Sequence, residues 1–489
     1  MRIEQDDPTI TRAHWVSMGA VLIGTFMVAL DQTIVTIALP QIGQGLGATQ
    51  GIDWVVTAYL LALGVVQPTT GWLADRMGRK NVFLTSVGLF TFGSILSGLA
   101  PSLTLLVAAR IIQGLGGGAI FPVGMAMMYE QFPRSRRGMA LGIWSVGLTV
   151  APAVGPVLGG LIVTQWDWRW LFFINVPIGL VGLLVGARVL PRTGFKDIRP
   201  FDGRGVGLVA IALGAGLFAL SEANTWGWTA PSTLLLFGLS AVLLAWFVGH
   251  ELHAPEPVID VRIFGIRTFS LSLLIVAGLV VVQFGRLVFV PLELESWRGL
   301  SALDVGLLLV PAAITAAIAA PVAGRLSDRI GARPLVLAGL AITGLAALLL
   351  ADVQVDTPIW AIGTVIAVQG LGNGLAMTPN TVAGMNALPQ HLIARGTAVR
   401  SSIRQVSASF GVAALTALAV ARGGGLALGA PGVTDQTIQA TYGVVFLASA
   451  FIMLACLPLA LLLPSSVHGL IGRSGPSDGD RVPVPDVSE

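Results

Sequence analysis

Fourteen runs of mostly apolar residues divide this chain. They lie near 15–38, 52–73, 82–99, 105–129, 137–163, 170–190, 205–220, 231–250, 268–290, 302–324, 334–351, 358–385, 397–421 and 441–463. A helix needs about 20 such residues to cross about 30 Å of hydrocarbon. The run at 205–220 is Gly-rich and the shortest of them. Charged residues make up only 11% of the 489, where a soluble domain carries about 25%. That is too few to coat a soluble surface of this size. A soluble enzyme and a disordered chain are both excluded. The expectation is an all-α polytopic membrane protein.

An even number of spans puts both termini on one side. With that side taken as cytoplasmic, 23 of the 28 Lys and Arg residues fall in the segments that face it. Arg395, Arg400 and Arg404 are among these. Only Arg169, Arg298 and Arg422 fall in outer loops, while Arg110 and Arg286 fall inside spans. This is the positive-inside bias. The basic residues sit between apolar runs rather than in one patch, so the net charge of +3 points to no nucleic-acid partner. Cys456 is the single cysteine, which leaves no internal disulfide and no thiolate cluster. His250 and His253 read as a wet turn at a helix end, and no metal site is expected. Arg2, Glu4, Asp6 and Asp7 precede the first run with no small-residue cleavage site, so no signal peptide is expected.

The sequence also repeats. Gly71–Lys80 (GWLADRMGRK) recurs as Gly324–Arg333 (GRLSDRIGAR), and Gln113–Gly118 (QGLGGG) recurs as Gln369–Gly374 (QGLGNG). Arg137-Gly-Met-Ala140 recurs as Arg395-Gly-Thr-Ala398. Three matched stretches in one order imply two homologous six-helix halves. The expected organisation is a cytoplasmic tail at 1–14, a first half at 15–192, a linker with two inserted helices at 193–253, a second half at 254–464, and a disordered cytoplasmic tail at 465–489. Two parallel repeats with a binding site at their interface is a transporter plan.

These stretches resemble motifs of the major facilitator superfamily, and of its fourteen-span drug:proton antiporter branch in particular. Gly71–Lys80 is similar to the cytoplasmic loop motif between helices 2 and 3. Arg110–Gly118 (RIIQGLGGG) resembles the helix 4 motif that begins with a membrane arginine. Gly147–Gly160 resembles the antiporter motif of helix 5, and Leu30–Pro40 (LDQTIVTIALP) resembles the helix 1 motif of the fourteen-span branch. The likeness runs over about residues 12–465. It implies a proton-coupled antiporter that exports small amphipathic or cationic compounds by alternating access. Such a protein works as a monomer in a bacterial cell membrane and needs no cofactor beyond the proton gradient. Export of a lipid, siderophore or self-made metabolite by the same mechanism is the alternative. A non-transporting membrane receptor or assembly partner is a third reading, against which the charges inside the spans argue. No nucleophile, metal-ligand set or carboxylate pair points to an enzyme. Gly114–Gly118 lacks the Gly-Lys-Ser/Thr ending of a phosphate loop.

Asp31 sits past the middle of the first span. An ionised carboxylate at membrane depth costs at least ~2.5 kcal/mol on insertion scales. Taking up a proton removes that cost, so Asp31 is the expected proton-coupling carboxylate. Arg110 cannot shed its charge and must face the bundle interior. The resemblance implies that it tunes the proton affinity of a nearby carboxylate. Arg286, in span 9, lies at about the depth of Asp31 in the equivalent helix, which suggests an Asp31–Arg286 pair across a central cavity. Glu293 and Glu295 are the alternative partners. Gln32, Gln113, Glu293 and Glu295 are the candidates for contact with cargo.

In span 5, Gly147, Ala151, Gly155 and Gly159 recur every four residues and form a small-residue stripe for close packing. Pro152 and Pro156 remove helix hydrogen bonds there. The stripe is expected at the interface between halves, and the resemblance ties it to antiport. In the loop motif, Asp75 is expected to cap span 3. With Gly71, Arg76, Gly78 and Arg79 it would latch the halves through a salt bridge that breaks when the inner gate opens. Asp328 and Arg329 form the weaker twin of this latch.

Overall fold

The computed structural model describes residues 10–48, 51–52, 54–133, 136–191, 202–254, 257–422 and 435–465. The expected tail beyond 465 and most of the 193–204 linker lie outside them. No water reaches backbone groups in hydrocarbon, so each apolar run must pair its own peptide groups as a helix. The runs do so. The first group is α1 (Arg12–Ile37), α2 (Trp54–Met77, with a 3-10 turn at Gln67–Thr69), α3 (Arg79–Leu99), α4 (Leu103–Gln131), α5 (Arg137–Gln165) and α6 (Trp170–Val189). Then come α7 (Gly203–Trp226) and α8 (Pro231–His253). The last group is α9 (Arg267–Arg298), α10 (Ala302–Ile330), α11 (Arg333–Ala351), α12 (Ile359–Asn386), α13 (Ile393–Arg422) and α14 (Asp435–Leu461). Thirteen stretches among the described residues are long and apolar enough to cross a membrane. α5, which covers the expected span at 137–163, is a further 29-residue helix. The Gly-rich run at 205–220 lies within a 24-residue helix.

Helices α1 to α4 and α6 pack chiefly within the first set, and α9 to α12 and α14 chiefly within the second, while α5 and α13 pack on both. Between these two sets, α5 pairs with α10, and α13 meets α2 and α4. α7 lies against both α2 and α13, while α8 packs on α7. Asn224 Nδ2 of α7 donates to the Ala413 carbonyl of α13 at 3.3 Å. At the other end of α7, Asp202 accepts from the Gly205 N–H and pairs with His250 Nε2 of α8, both at 2.8 Å. α8 leaves Leu234, Leu235, Val242 and Trp246 exposed, as a lipid-facing helix requires.

The two sets approach most closely at the end of the bundle that carries most of the arginines. A Cβ added to Gly324 of α10 would collide with the Gly138 carbonyl of α5, and one on Gly142 would lie 2.6 Å from the Ala320 carbonyl. Gly71 at the end of α2 meets the Arg395 backbone of α13 in the same way. Only glycine permits these backbone contacts.

Candidate functional site

The site has three parts: a buried ion pair in the first helix set, a cavity between the sets, and the contacts that close one end of that cavity.

Asp31 is fully buried. Its Oδ2 accepts from Arg110 Nη1 of α4 at 2.6 Å. Its Oδ1 accepts from Gln113 Nε2 of α4 at 2.9 Å and from Asn175 Nδ2 of α6 at 3.1 Å. Both amides also donate to Ser94 Oγ of α3 at 3.0 Å. Arg110 Nε donates to the Val55 carbonyl of α2 at 3.0 Å, and its guanidinium lies 4.1 Å from the Tyr59 ring centre. Five helices therefore meet on one ion pair, and every carboxylate oxygen has a donor. A buried pair survives only when its remaining polar atoms are satisfied in this way.

This arrangement corrects three expectations. Asp31 does not pair with Arg286, because it points from α1 into its own helix set. The next residue, about 100° further round the helix, is Gln32, and it is Gln32 that lines the interface cavity. Gln113 belongs to the ion-pair cluster rather than to the cavity. Glu293 is buried on α9 and is not among the cavity-lining residues. The side chain of Glu295 lies outside the described set.

The cavity measures about 610 Å³ and lies between the two helix sets. Gln32, Thr33 and Thr36 of α1 line it from one side, and Gln283 and Arg286 of α9 with Asn373 of α12 line it from the other. Arg404 and Gln405 of α13 and Phe121 of α4 border it as well. Ser221 and Asn224 of α7 form part of the wall, so an inserted helix reaches the site. The rest of the lining is mostly Leu, Val and Ala. Arg404 corrects the charge tally. It sits about three turns into α13 and faces the cavity. Arg400, one turn earlier, is buried and donates to Thr381 Oγ1 at 2.5 Å. Both lie inside the apolar run expected at 397–421, and that was the available signal. Asn175 was missed too, although a lone Asn in the apolar run 170–190 is a visible anomaly.

At the arginine-rich end the repeated motifs meet crosswise. Asp328 at the end of α10 accepts from the backbone N–H groups of Gly138 at 3.1 Å and Met139 at 3.2 Å, at the N-terminus of α5. Asp75 at the end of α2 lies 3.7 Å from Arg395 Nε in the first turn of α13. Each loop aspartate thus reaches the helix of the other set that opens with the Arg-Gly repeat. The Tyr129 hydroxyl of α4 lies 3.1 Å from the Val382 carbonyl and 3.0 Å from Asn386 Oδ1 of α12. Arg137 Nη1 donates to the same Asn386 oxygen at 3.3 Å. Asp75 does not cap α3, whose N-cap is Gly78 at φ 79°, with no side-chain cap. Gly331 repeats that positive φ, at 85°, ahead of α11. Arg79 pairs with Glu130 inside the first set. Arg76 lies over the Trp72 ring at 5.3 Å, and Arg329 is exposed. Asp328 holds two backbone donors across the interface.

The stripe on α5 packs within the first set instead of across the interface. Gly155 faces Thr33, Gly159 faces the Ile34 carbonyl, and Gly147 faces Leu22, all on α1. The interface uses Gly138 and Gly142, one to two turns earlier. The side chains of Pro152 and Pro156 lie outside the described set.

Comparison with known proteins agrees with this architecture. The family model of the Major Facilitator Superfamily matches residues 21–412 and 279–484. The chain is 34% identical over 397 residues to YhcA, an uncharacterized MFS-type transporter of Bacillus subtilis (strain 168), covering 81% of this chain and 74% of that one. It is 32% identical over 405 residues to the multidrug resistance protein B homolog of Mycobacterium tuberculosis (strain ATCC 25618 / H37Rv), covering 82% and 75%. Among solved structures it is similar to the proton:xylose symporter XylE, with a TM-score of 0.62, 13% identity and coverage of 91% and 96%. It is also similar to the human organic anion transporter MFSD10, with a TM-score of 0.60, 16% identity and coverage of 90% and 99%. Identities that low speak to the fold alone. The chain is a multi-pass membrane transporter and belongs to the Major Facilitator Superfamily.

Proposed function

We propose that this protein is a fourteen-span, proton-coupled antiporter that exports small amphipathic compounds across a bacterial cell membrane by alternating access. The observation that carries the reading is the cavity between two helix sets, closed at one end by a handful of contacts between repeated motifs. The names of relatives such as the multidrug resistance protein B homolog support it. On this reading α5 is the fourteenth span, the termini and the arginine-rich end face the cytoplasm, and the cavity faces outward. The protein acts as a monomer, performs no covalent chemistry and draws only on the proton gradient.

Asp31 is the proton site of this proposal. In the closed-gate arrangement its charge holds α3, α4 and α6 to α1 through Ser94, Arg110, Gln113 and Asn175. A proton arriving from the cavity side, past Gln32 and Thr33, neutralises the carboxylate and leaves Arg110 buried without its partner. Losing one member of a buried pair costs about 3–5 kcal/mol, enough to shift a two-state equilibrium by about a hundredfold or more. The first helix set repacks, the crosswise contacts part, and the cavity opens inward. Cargo enters, Asp31 releases its proton to the cytoplasm, and the re-formed ion pair favours the closed gate again. Each proton moving with the potential contributes ~2.3 kcal/mol per 100 mV.

The test is cargo-induced proton release from proteoliposomes, with rhodamine 6G and fluorescein each supplied as cargo. Wild-type protein should release protons with a transported dye, and Asp31→Asn should bind dye without release. Equal release by both proteins would remove Asp31 from the mechanism. Dye movement without proton release in wild type would overturn antiport.

A further inference from the structure

The charge of the cavity identifies the class of cargo. Two guanidinium groups line it, from Arg286 and Arg404, and no carboxylate does among the described residues. Neither arginine makes a hydrogen bond or ion pair among the described residues, and the Arg404 guanidinium lies 6.0 Å from the Phe121 ring centre. Guanidinium stays charged under any working condition. Both guanidinium groups are partly exposed, and each offers charged donors that a carboxylate or other acid group would accept from. Asp31 does not compensate, since it is sequestered behind α1 by Arg110, Gln113 and Asn175. A cationic cargo would meet two like charges and no acid.

From these observations we infer that the cavity is a binding site for amphipathic organic anions, with the acid group of the cargo held by Arg404, Arg286 or both. This deepens the export reading and rests on it for the direction of movement, though not for binding. The remaining lining fits such a molecule. Leu60, Leu61, Leu217, Leu220, Leu287 and Leu309 give an apolar wall. Gln32, Gln283, Asn373 and Gln405 supply uncharged donors. Gly411 of α13 packs against Val281 of α9; Arg404 lies about two turns before that contact on α13 and Arg286 more than one turn after it on α9. The two cations thus lie at different depths, one toward the floor and one toward the mouth. An elongated anion can engage both, and a shorter one can pass from one to the other. About 610 Å³ is within the range of small-molecule pockets.

The experiment compares two dyes on one tricyclic scaffold with opposite charge: fluorescein as the anion and rhodamine 6G as the cation. Fluorescence polarisation reads their binding to the purified full-length protein in neutral detergent. Wild type should bind fluorescein at least about tenfold more tightly than rhodamine 6G, with affinity falling as salt rises. Arg404→Gln and Arg286→Gln should each weaken fluorescein binding about tenfold to a hundredfold and leave or improve rhodamine binding. Arg404→Lys and Arg286→Lys keep the charge and should retain most of the preference, which separates loss of charge from loss of fold. Tighter binding of rhodamine by wild type, or fluorescein binding indifferent to both Gln variants, would overturn the inference. Binding of phosphatidylglycerol that is lost in the Gln variants, with no fluorescein binding by wild type, would also overturn it, assigning the arginines to a lipid headgroup. Proton-coupled rhodamine transport without fluorescein binding sinks this inference and leaves the export reading intact. Arginine-dependent fluorescein binding without proton-coupled transport does the reverse.

Discussion

Removing Asp328 should open the gate proposed above, and the structure gives the size of the effect. Asp328 accepts two backbone N–H groups at the N-terminus of α5, at 3.1 and 3.2 Å. A hydrogen bond to a charged acceptor contributes about 1.5–3 kcal/mol, and a carboxylate at a helix N-terminus up to ~2 kcal/mol more. Part of this is lost to solvent and to non-additivity, so Asp328→Ala should cost the closed state about 2–4 kcal/mol. In populations, that is about 30- to 1,000-fold. The assay is maleimide labelling of Met139→Cys, a position 6% exposed behind the closed contact, in a Cys456→Ala background that removes the single native cysteine. The labelling rate tracks the inward-open fraction. Asp328→Ala should raise it by at least about 30-fold, or to saturation. Parent-like labelling of Asp328→Ala would refute the reasoning.

Gly324→Ala places a Cβ against the Gly138 carbonyl. Overpacking of this kind costs about 1–3 kcal/mol, so Met139→Cys labelling should rise in this variant as well. Asn175→Ala removes one donor to Asp31 and one to Ser94; the melting temperature in detergent should fall by the equivalent of about 1–3 kcal/mol, whereas a wild-type melt would show the amide to be dispensable. Arg110→Lys loses the Nε donor to Val55 and displaces the cation whose Nη1 donates to both Asp31 and Gln113. It should lower stability and abolish cargo-induced proton release in proteoliposomes, and unaltered release would exclude Arg110 from coupling.

What the sequence determined alone is one-dimensional: where the apolar runs lie, which side carries the arginines, and which stretches recur. Run length against bilayer thickness settles the helices, and that comparison needs no knowledge of neighbours. The matched motifs also pointed to contacts from both halves at one end of the bundle, since Gly71–Lys80 and Gly324–Arg333 stand at the same point of each repeat. What only the tertiary structure decided is direction around each helix axis. Asp31 and Gln32 are adjacent in sequence, yet one faces the ion pair and the other the cavity. Arg404 reads as a cytoplasmic anchor until the packing of α13 against α4 turns it inward. Asn175 becomes part of the ion pair only because α6 lies beside α1 and α3. A charge buried in hydrocarbon must find partners, but which partners it finds depends on the faces that packing brings together, and those are properties of the assembled bundle.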